Sequence, residues 1–175
     1  MNLPLVVNKI TENIYIAGAP GKKDQFTQRI LVDDIKALRE CVDTVVCLMP
    51  KIELNMLQIA NIEQVCIENN LGFMHYPIDD NFIPASLESF YSFLLKVDTQ
   101  IKTAKICFIC RGGFGRSGLA GACLLVLQKY SPEMAVSTVR SKRDNTLTRK
   151  AQYKFVYTFS QYVQCHKIIS VSICK

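Results

Sequence analysis

The chain has 175 residues, of which 49% are hydrophobic and 21% are charged, and an excess of Lys and Arg gives a net charge of +6. This hydrophobic fraction excludes an intrinsically disordered chain, and 8 glycines with 6 prolines exclude a collagen-like one. We therefore expect one domain over residues 1–175 that folds around a buried core. The modest positive charge favours anionic partners such as phosphoproteins, acidic lipids or nucleic acid.

The apolar segments are too short for a membrane span. The longest, residues 119–127, is interrupted only by Gly121 and falls well short of the roughly 20 residues that a spanning helix needs. The first residues lack a basic leader with a long apolar segment, so we expect no signal peptide. Several of the eight cysteines lie within apolar runs, which is typical of reduced core residues. These features predict a cytoplasmic protein in a reducing compartment, without a transmembrane segment.

Strand and helix signals alternate along the first half of the chain. Residues 13–17 are a short strand candidate, residues 44–49 are an apolar run that predicts a buried strand, and residues 73–78 predict another short strand. Helices are predicted near the acidic pair Asp33-Asp34, around the apolar spacing of residues 59–66, and after Ser86, which is a candidate N-cap.

The second half of the chain continues this alternation. Residues 106–109 are fully apolar and predict a central strand, and the helix that follows is apolar on nearly every side. Ser131-Pro132-Glu133 predicts the start of another helix, and a last amphipathic helix begins at about Arg149. We expect an α/β domain with a central, mostly parallel sheet flanked by helices and with its site at the carboxyl end of a strand.

The most informative segment connects the strand at residues 106–109 to the buried helix. It reads Cys110-Arg111-Gly112-Gly113-Phe114-Gly115-Arg116-Ser117. Three glycines let backbone N–H groups point inward, and the following helix adds its free amides, so residues 111–116 can hold a dianionic phosphate. The same positive field favours a thiolate nucleophile at Cys110, and Arg116 can grip two phosphate oxygens. A glycine-rich turn with an incidental cysteine is the alternative.

This segment resembles the signature loop of the cysteine-dependent protein tyrosine and dual-specificity phosphatases. Within that superfamily, the chain is most similar to the kinase-associated phosphatase, or cyclin-dependent kinase inhibitor 3, family. The likeness also rests on residues 76–80, on Val139-Arg140-x-x-Arg143 and on Gln152-Tyr153. It covers roughly residues 14–159 and implies the α/β fold of the protein tyrosine phosphatases.

The resemblance implies a role for each residue of the loop. Cys110 attacks phosphorus, and residues 111–116 bind the phosphoryl group with Arg116 as its main cation. Ser117 donates a hydrogen bond that eases departure of the thiolate when the phosphocysteine breaks down. In the family, an aspartate on a mobile loop protonates the leaving oxygen, and Asp80 lies where that loop is expected. Asp79 is the rival candidate, and a solvated turn is the alternative for both carboxylates.

Two further positions follow from the resemblance. Gln152 matches a glutamine that orients the hydrolytic water in several relatives. Ile109 departs from the family, which usually has a histidine immediately before the nucleophile. We infer that Arg111 compensates through its charge or reads an acidic substrate, and the alternative is an exposed basic side chain without a role.

These implications predict a phosphomonoester hydrolase that acts on phosphoserine, phosphothreonine or phosphotyrosine in proteins through a phosphocysteine. We expect no cofactor and no metal ion, because Cys107 and Cys110 lack the second cysteine pair of a zinc site. The expected partners are a phosphoprotein and, as a candidate, a protein kinase, with no nucleic acid. The alternatives are a phosphoinositide phosphatase that binds an acidic lipid headgroup and a pseudophosphatase that binds phosphate or docks on a kinase.

Cys47 is a candidate redox partner of the nucleophile. It lies near the end of the predicted strand at residues 44–49, and in relatives a cysteine at a similar place lies behind the nucleophile. A second thiol can trap the sulfenic acid of Cys110 as a disulfide. Cys107 is the competing partner, and a simple core position for Cys47 is the alternative.

Overall fold

A computed structural model describes the backbone of residues 4–80 and 82–173 of this protein. In these residues, strands and helices alternate as the sequence predicts. The strands are β1 (Val7–Lys9), β2 (Ile14–Gly18), β3 (Thr44–Cys47), β4 (Gly72–His75) and β5 (Ile106–Cys110). The helices are α1 (Leu31–Arg39), α2 (Lys51–Met56), α3 (Ile62–Glu68), α4 (Leu87–Gln100), α5 (Arg116–Leu127), α6 (Pro132–Lys142) and α7 (Lys150–Ile173).

The strands form one sheet in the order β1-β2-β5-β3-β4, in which only β1 is antiparallel to its neighbour. The predicted mostly parallel sheet is therefore confirmed. β5 lies at its centre, with Cys110 opposite Gly18 of β2 and Ile109 opposite Cys47 of β3. Because the carboxyl ends of parallel strands meet at one edge, the segments that follow β2, β3 and β5 converge there.

The signature loop, residues 110–116, is held between a buried strand and a buried helix. Every residue of β5 is buried, and α5 is buried from Arg116 to Val126. α5 packs against β2, β5, α4, α6 and α7. A Cβ at Gly118 would lie 2.0 Å from Cγ2 of Thr146, so this first turn of α5 must carry a glycine. The ends of the loop are thus fixed by the core.

The helix starts predicted from capping residues are confirmed. Ser86 Oγ accepts a hydrogen bond from the backbone N–H of Ser89 at 3.1 Å, and Ser131 Oγ accepts one from that of Met134 at 3.2 Å. Sequence analysis did not predict β1 or α2. Elements of three and six residues are too short to show the periodicity on which such predictions depend.

Two general features of the described residues bear on the sequence analysis. Their helices include none that is both long enough and apolar enough to cross a membrane. The seven cysteines described are all free thiols, and five of them are buried. Burial of a thiol in an apolar environment is the ordinary situation of a structural cysteine.

Candidate active site

The signature loop curls around the sulfur of Cys110. The backbone N–H of Gly113 donates a hydrogen bond to Cys110 Sγ at 3.2 Å. Gly113 has φ +75°, and a Cβ there would lie 2.5 Å from the carbonyl carbon of Ala17. Only glycine fits this position, because a side chain would be strained and would also collide with β2. The loop therefore presents at least one backbone donor to the predicted nucleophile.

Arg116 is buried at the base of the site, and both terminal nitrogens of its guanidinium donate hydrogen bonds. Nη1 and Nη2 donate to the two carboxylate oxygens of Glu53 at 2.6 and 2.8 Å. Nη1 also donates to the carbonyl oxygen of Ile78 at 3.0 Å, and Nη2 to Asp80 Oδ1 at 2.9 Å. The bidentate contact fixes the plane of the guanidinium and compensates its charge, which is needed because the side chain is only 1% exposed.

Glu53 is a site residue that sequence analysis missed. It lies on α2, which follows β3 at the carboxyl edge of the sheet, and its side chain is 10% exposed. Glu53 lies 63 positions before Arg116, and it belongs to none of the segments on which the resemblance rests. The only available signal was its place shortly after a predicted buried strand, where parallel strands bring polar residues together.

The two candidate acids lie in different surroundings. Asp80 contacts Arg116 and its side chain is 50% exposed, so it reaches the site while remaining accessible to solvent. Asp79 is exposed, and it contacts this turn through its backbone, whose carbonyl oxygen accepts from the N–H of Phe82 at 3.1 Å. The geometry therefore favours Asp80 over Asp79.

Three buried polar atoms at or beside the site have no hydrogen-bond partner among the described residues. They are Ser117 Oγ, Gln152 Oε1 and Arg143 Nε. Gln152 donates from Nε2 to the carbonyl oxygen of Phe82 at 3.2 Å, and its Oε1 would lie 2.8 Å from a Cβ at Gly115. Gln152 thus packs directly on the signature loop. Unpaired buried polar atoms are costly, and at such a site they are available to a bound reactant.

Arg143 braces the outer side of the signature loop. Its Nη2 donates to the carbonyl oxygen of Gly112 at 2.9 Å, its Nη1 donates to Oδ1 of Asn8, and its guanidinium lies 4.2 Å from the centre of the Phe114 ring. Burial lowers the pKa of Arg143. Arg140, one helical turn earlier, donates instead to the carbonyl oxygens of Thr146 and Leu147. The arginine pair cited in the resemblance therefore shapes the walls of the site.

A cavity of about 470 Å³ opens above the sulfur of Cys110. It contains most of the predicted site and also residues that sequence analysis did not assign to it. The lining residues are Lys22, Asp80, Cys110, Arg111, Gly112, Phe114, Gly115, Arg116, Asn145, Thr148, Arg149 and Gln152.

The remaining predicted positions lie below or beside this cavity. Cys47 and Ile109 are fully buried neighbours in the sheet, and burial raises the pKa of the Cys47 thiol to about 12. Cys107 is fully buried opposite Val45. The described residues contain no cluster of three His, Cys, Asp or Glu side chains that could hold a metal ion.

Comparison with known proteins agrees with this arrangement. The profile of the protein-tyrosine phosphatase family matches residues 37–167. Because this match covers more than half of the chain, the protein belongs to the protein-tyrosine phosphatase family.

Particular relatives confirm the resemblance inferred from the sequence. Human cyclin-dependent kinase inhibitor 3 is 26% identical over 156 residues, which cover 86% of this chain and 73% of the human protein. A crystal structure of kinase-associated phosphatase, with serine at its catalytic-site cysteine, has a TM-score of 0.84 at 22% identity and covers 94% of this chain and 98% of its own. The structure of PTPMT1 in complex with PI(5)P has a TM-score of 0.71 at 16% identity, with coverages of 92% and 98%.

The two adjacent glycines of the loop provide a test of its geometry. We expect Gly113→Ala to lower the free energy of unfolding by about 1–3 kcal/mol, because it combines a left-handed backbone with a collision against β2. The same variant should lose binding of tungstate, a phosphate analogue, in a calorimetric titration.

Gly112→Ala is the matched control. Its added Cβ would meet the ring of Phe114 at 3.1 Å, and this side chain is able to move. Denaturant unfolding and tungstate titration should show a smaller effect for this variant. Equal losses in both variants would contradict the geometry of the loop.

Proposed function

We propose that the protein hydrolyses phosphomonoesters in proteins through a phosphocysteine intermediate, as one catalytic domain over residues 1–175. The observation that carries this proposal is the convergence of three groups on one cavity: the Cys110 sulfur with a backbone donor, the fixed guanidinium of Arg116 and the carboxyl group of Asp80. This combination supplies a nucleophile, an anion clamp and a proton donor.

In the first step, the Cys110 thiolate attacks phosphorus and the bond to the leaving oxygen breaks. Arg116 and the loop amides stabilise the charge on the phosphoryl oxygens, and protonated Asp80 gives its proton to the leaving oxygen. The products are the free hydroxyl compound and a phosphocysteine.

In the second step, water attacks the phosphocysteine and gives a proton back to Asp80. Oε1 of Gln152 has no hydrogen-bond partner among the described groups, and it lies at the signature loop, where it can accept from this water. The buried hydroxyl of Ser117 can donate to the departing sulfur. Phosphate leaves and Cys110 returns to the thiolate, so no cofactor is consumed.

The ion pair between Asp80 and Arg116 implies that phosphate binds before Asp80 donates its proton. A phosphate group that binds Arg116 competes with Asp80 for Nη2, whereas the two contacts with Glu53 leave the guanidinium in place. Substrate binding thus removes the Arg116 contact of Asp80, and Asp80 takes up a proton from solvent, to which its side chain is 50% exposed, before it protonates the leaving oxygen. Glu53 acts as a positioning residue because it orients Arg116 without facing the cavity.

Two observations bear on the class of substrate. Relatives named kinase-associated phosphatase and cyclin-dependent kinase inhibitor 3 support a phosphoprotein substrate, with a protein kinase as candidate partner. The basic residues Lys22, Arg111 and Arg149 in the cavity, together with the PTPMT1 complex with PI(5)P, favour a phosphoinositide as second candidate. Phosphate release from phosphopeptides and from soluble phosphoinositides, measured side by side, separates the two. The cytoplasmic location remains a prediction.

Two substitutions test the nucleophile and its anion clamp. Cys110→Ser should lower hydrolysis of a small aryl phosphate by at least about a thousandfold and retain tungstate binding, because Arg116 and the loop amides remain. Arg116→Lys should lose about 10²–10³ in rate and also weaken binding, since an ammonium group cannot replace a two-pronged donor. Substantial hydrolysis by Cys110→Ser would exclude the phosphocysteine, and a wild-type protein without hydrolysis but with tungstate binding would be a pseudophosphatase.

The adjacent carboxylates test the assignment of the acid. For substrates with poor leaving groups, Asp80→Asn should reduce the rate by about 10²–10⁴-fold, whereas activated aryl phosphates, which need little protonation, should be affected much less. Asp79→Asn is the control and should show no such dependence on the leaving group. The reverse pattern would transfer the role to Asp79.

The proposed redox pair of Cys47 and Cys110 has a distinct pH dependence. The register of β3 and β5 implies about 6 Å between the Cα atoms of Cys47 and Cys110, a distance that a disulfide can span. Successive side chains of a strand point to opposite faces of the sheet, however, so Cys47 shares the face of Ile109 and Cys110 lies on the other face. Peroxide converts the Cys110 thiolate to a sulfenic acid, and attack by Cys47 then gives the disulfide and water.

Since burial raises the pKa of Cys47 to about 12, the attacking thiolate is scarce at neutral pH. We therefore expect disulfide formation to be slow and to accelerate as pH rises. Peptide mapping after peroxide treatment detects the disulfide. Recovery of activity in dithiothreitol is then compared among wild type, Cys47→Ser and Cys107→Ser. Equal recovery of Cys47→Ser and wild type would refute the pair.

A further inference from the structure

The segment that follows β2 is attached directly to the signature loop. The backbone N–H of Ala19 donates a hydrogen bond to the carbonyl oxygen of Arg111 at 3.3 Å. Ala19 is fully buried, and it comes immediately after Gly18, which lies opposite Cys110 in the sheet. The signature loop is therefore held at Arg111 by a donor from another segment of the chain.

This contact determines the direction of one amide in the loop. In a trans peptide, the C=O of one residue and the N–H of the next point in opposite directions, and the described residues contain no cis peptide bond. Because the carbonyl oxygen of Arg111 points out to Ala19, the N–H of Gly112 points to the opposite side. Gly112 lines the cavity, so this amide is directed at the place where an anion would bind.

The next peptide of the loop follows the same rule. Arg143 holds the carbonyl oxygen of Gly112 on the outer side at 2.9 Å, and the N–H of Gly113 donates inward to Cys110 Sγ at 3.2 Å. A carbonyl group that is held outward thus accompanies an amide that points inward. Anion binding by backbone amides requires such an arrangement.

Arg29 and Asp34 in turn hold Ala19 in place. Arg29 donates from Nη2 to the carbonyl oxygen of Ala19, and from Nε to Asp34 Oδ2 at 2.6 Å. The same carboxylate oxygen accepts from the N–H of Gly21 at 2.7 Å. The two side chains therefore fix the backbone on both sides of Pro20, which has no N–H of its own to donate.

The ion pair of Arg29 and Asp34 is shielded from water and anchored in the core. The two side chains are only 13% and 11% exposed, so solvent screens them less than a surface pair. Asp34 belongs to the first turn of α1, which is buried through Ile35 and Leu38. Neither Arg29 nor Asp34 is among the described residues that line the cavity. The pair thus reaches the signature loop only through the backbone that it holds.

We propose that Arg29 and Asp34 are positioning residues that keep the N–H of Gly112 directed into the cavity, where it binds a phosphoryl oxygen. They act through Ala19 and its hydrogen bond to Arg111. This inference rests on the proposed phosphatase function, because the bound group is the phosphate that is hydrolysed. It gives the segment between β2 and α1 a part in binding that phosphate.

Arg29→Gln tests the proposal, because it removes the cation that holds Ala19. We expect the affinity for tungstate to fall about tenfold, the usual effect of losing one hydrogen bond to a charged group. In nuclear magnetic resonance spectra at saturating tungstate, the amide signal of Gly112 should shift in wild type and respond much less in the variant. The amide of Gly113, whose direction depends on Arg143, should respond in both proteins.

Arg29→Lys separates positioning from stability. Its single ammonium group can keep the ion pair with Asp34 but cannot also hold the carbonyl oxygen of Ala19 in the same geometry. We therefore expect this variant to unfold at nearly the wild-type denaturant concentration and still to lose tungstate affinity and the response of Gly112.

Arg39→Gln is the matched control. It removes an arginine of α1 whose partner, Asp43, is not among the described residues that line the cavity. Tungstate affinity and the response of Gly112 should stay at their wild-type values.

The outcomes distinguish this inference from the proposed function. If both variants of Arg29 keep the tungstate affinity and the Gly112 response of the wild type, the ion pair has only a structural role and the inference is overturned. A wild type that shows the Gly112 response to tungstate but hydrolyses no phosphomonoester, small aryl phosphate included, would instead reject the proposed function.

Discussion

The buried contact between Arg116 and Glu53 is the interaction on which the rest of the site depends. A guanidinium that is 1% exposed is tolerated only because a carboxylate meets both of its ends. This contact joins the start of α5 to α2, and so it ties together the segments that follow two neighbouring strands. Removing one partner of a buried ion pair typically costs about 3–5 kcal/mol, because the other charge is left buried without compensation, so Glu53 is needed to keep the guanidinium of Arg116 in this buried position.

The sheet explains why so many functional groups meet at one edge. β2, β5 and β3 run parallel, and the register aligns Gly18 with Cys110 and Cys47 with Ile109. Ile109 stands where relatives usually have a histidine, and in this protein it is a fully buried member of the sheet. The loop is held from outside by Arg143, which contacts the carbonyl oxygen of Gly112 and the ring of Phe114. The signature loop is therefore held by packing and by Arg143, and the residue immediately before Cys110 is not titratable.

Charge is distributed unevenly over the cavity. Next to the sulfur, the single guanidinium of Arg116 meets two carboxyl groups, those of Glu53 and Asp80, so its positive charge is fully compensated there. Further out, Arg111 and Arg149 have no ion-pair partner among the described residues. Among the described residues, the inner cation is therefore paired with carboxylates, whereas the outer cations are not.

Local sequence determined the parts of this protein that depend on neighbouring residues. The alternation of strands and helices, the capping by Ser86 and Ser131, and the loop from Cys110 to Arg116 with its glycines follow from patterns within a few positions. The positions of Glu53, Asn8 and Arg149 at the site could not be predicted this way, because they reach it from distant segments. No local pattern predicts which distant residue neutralises a buried guanidinium or which cation faces a cavity. Those choices are made by the order and register of the strands, which long-range packing decides.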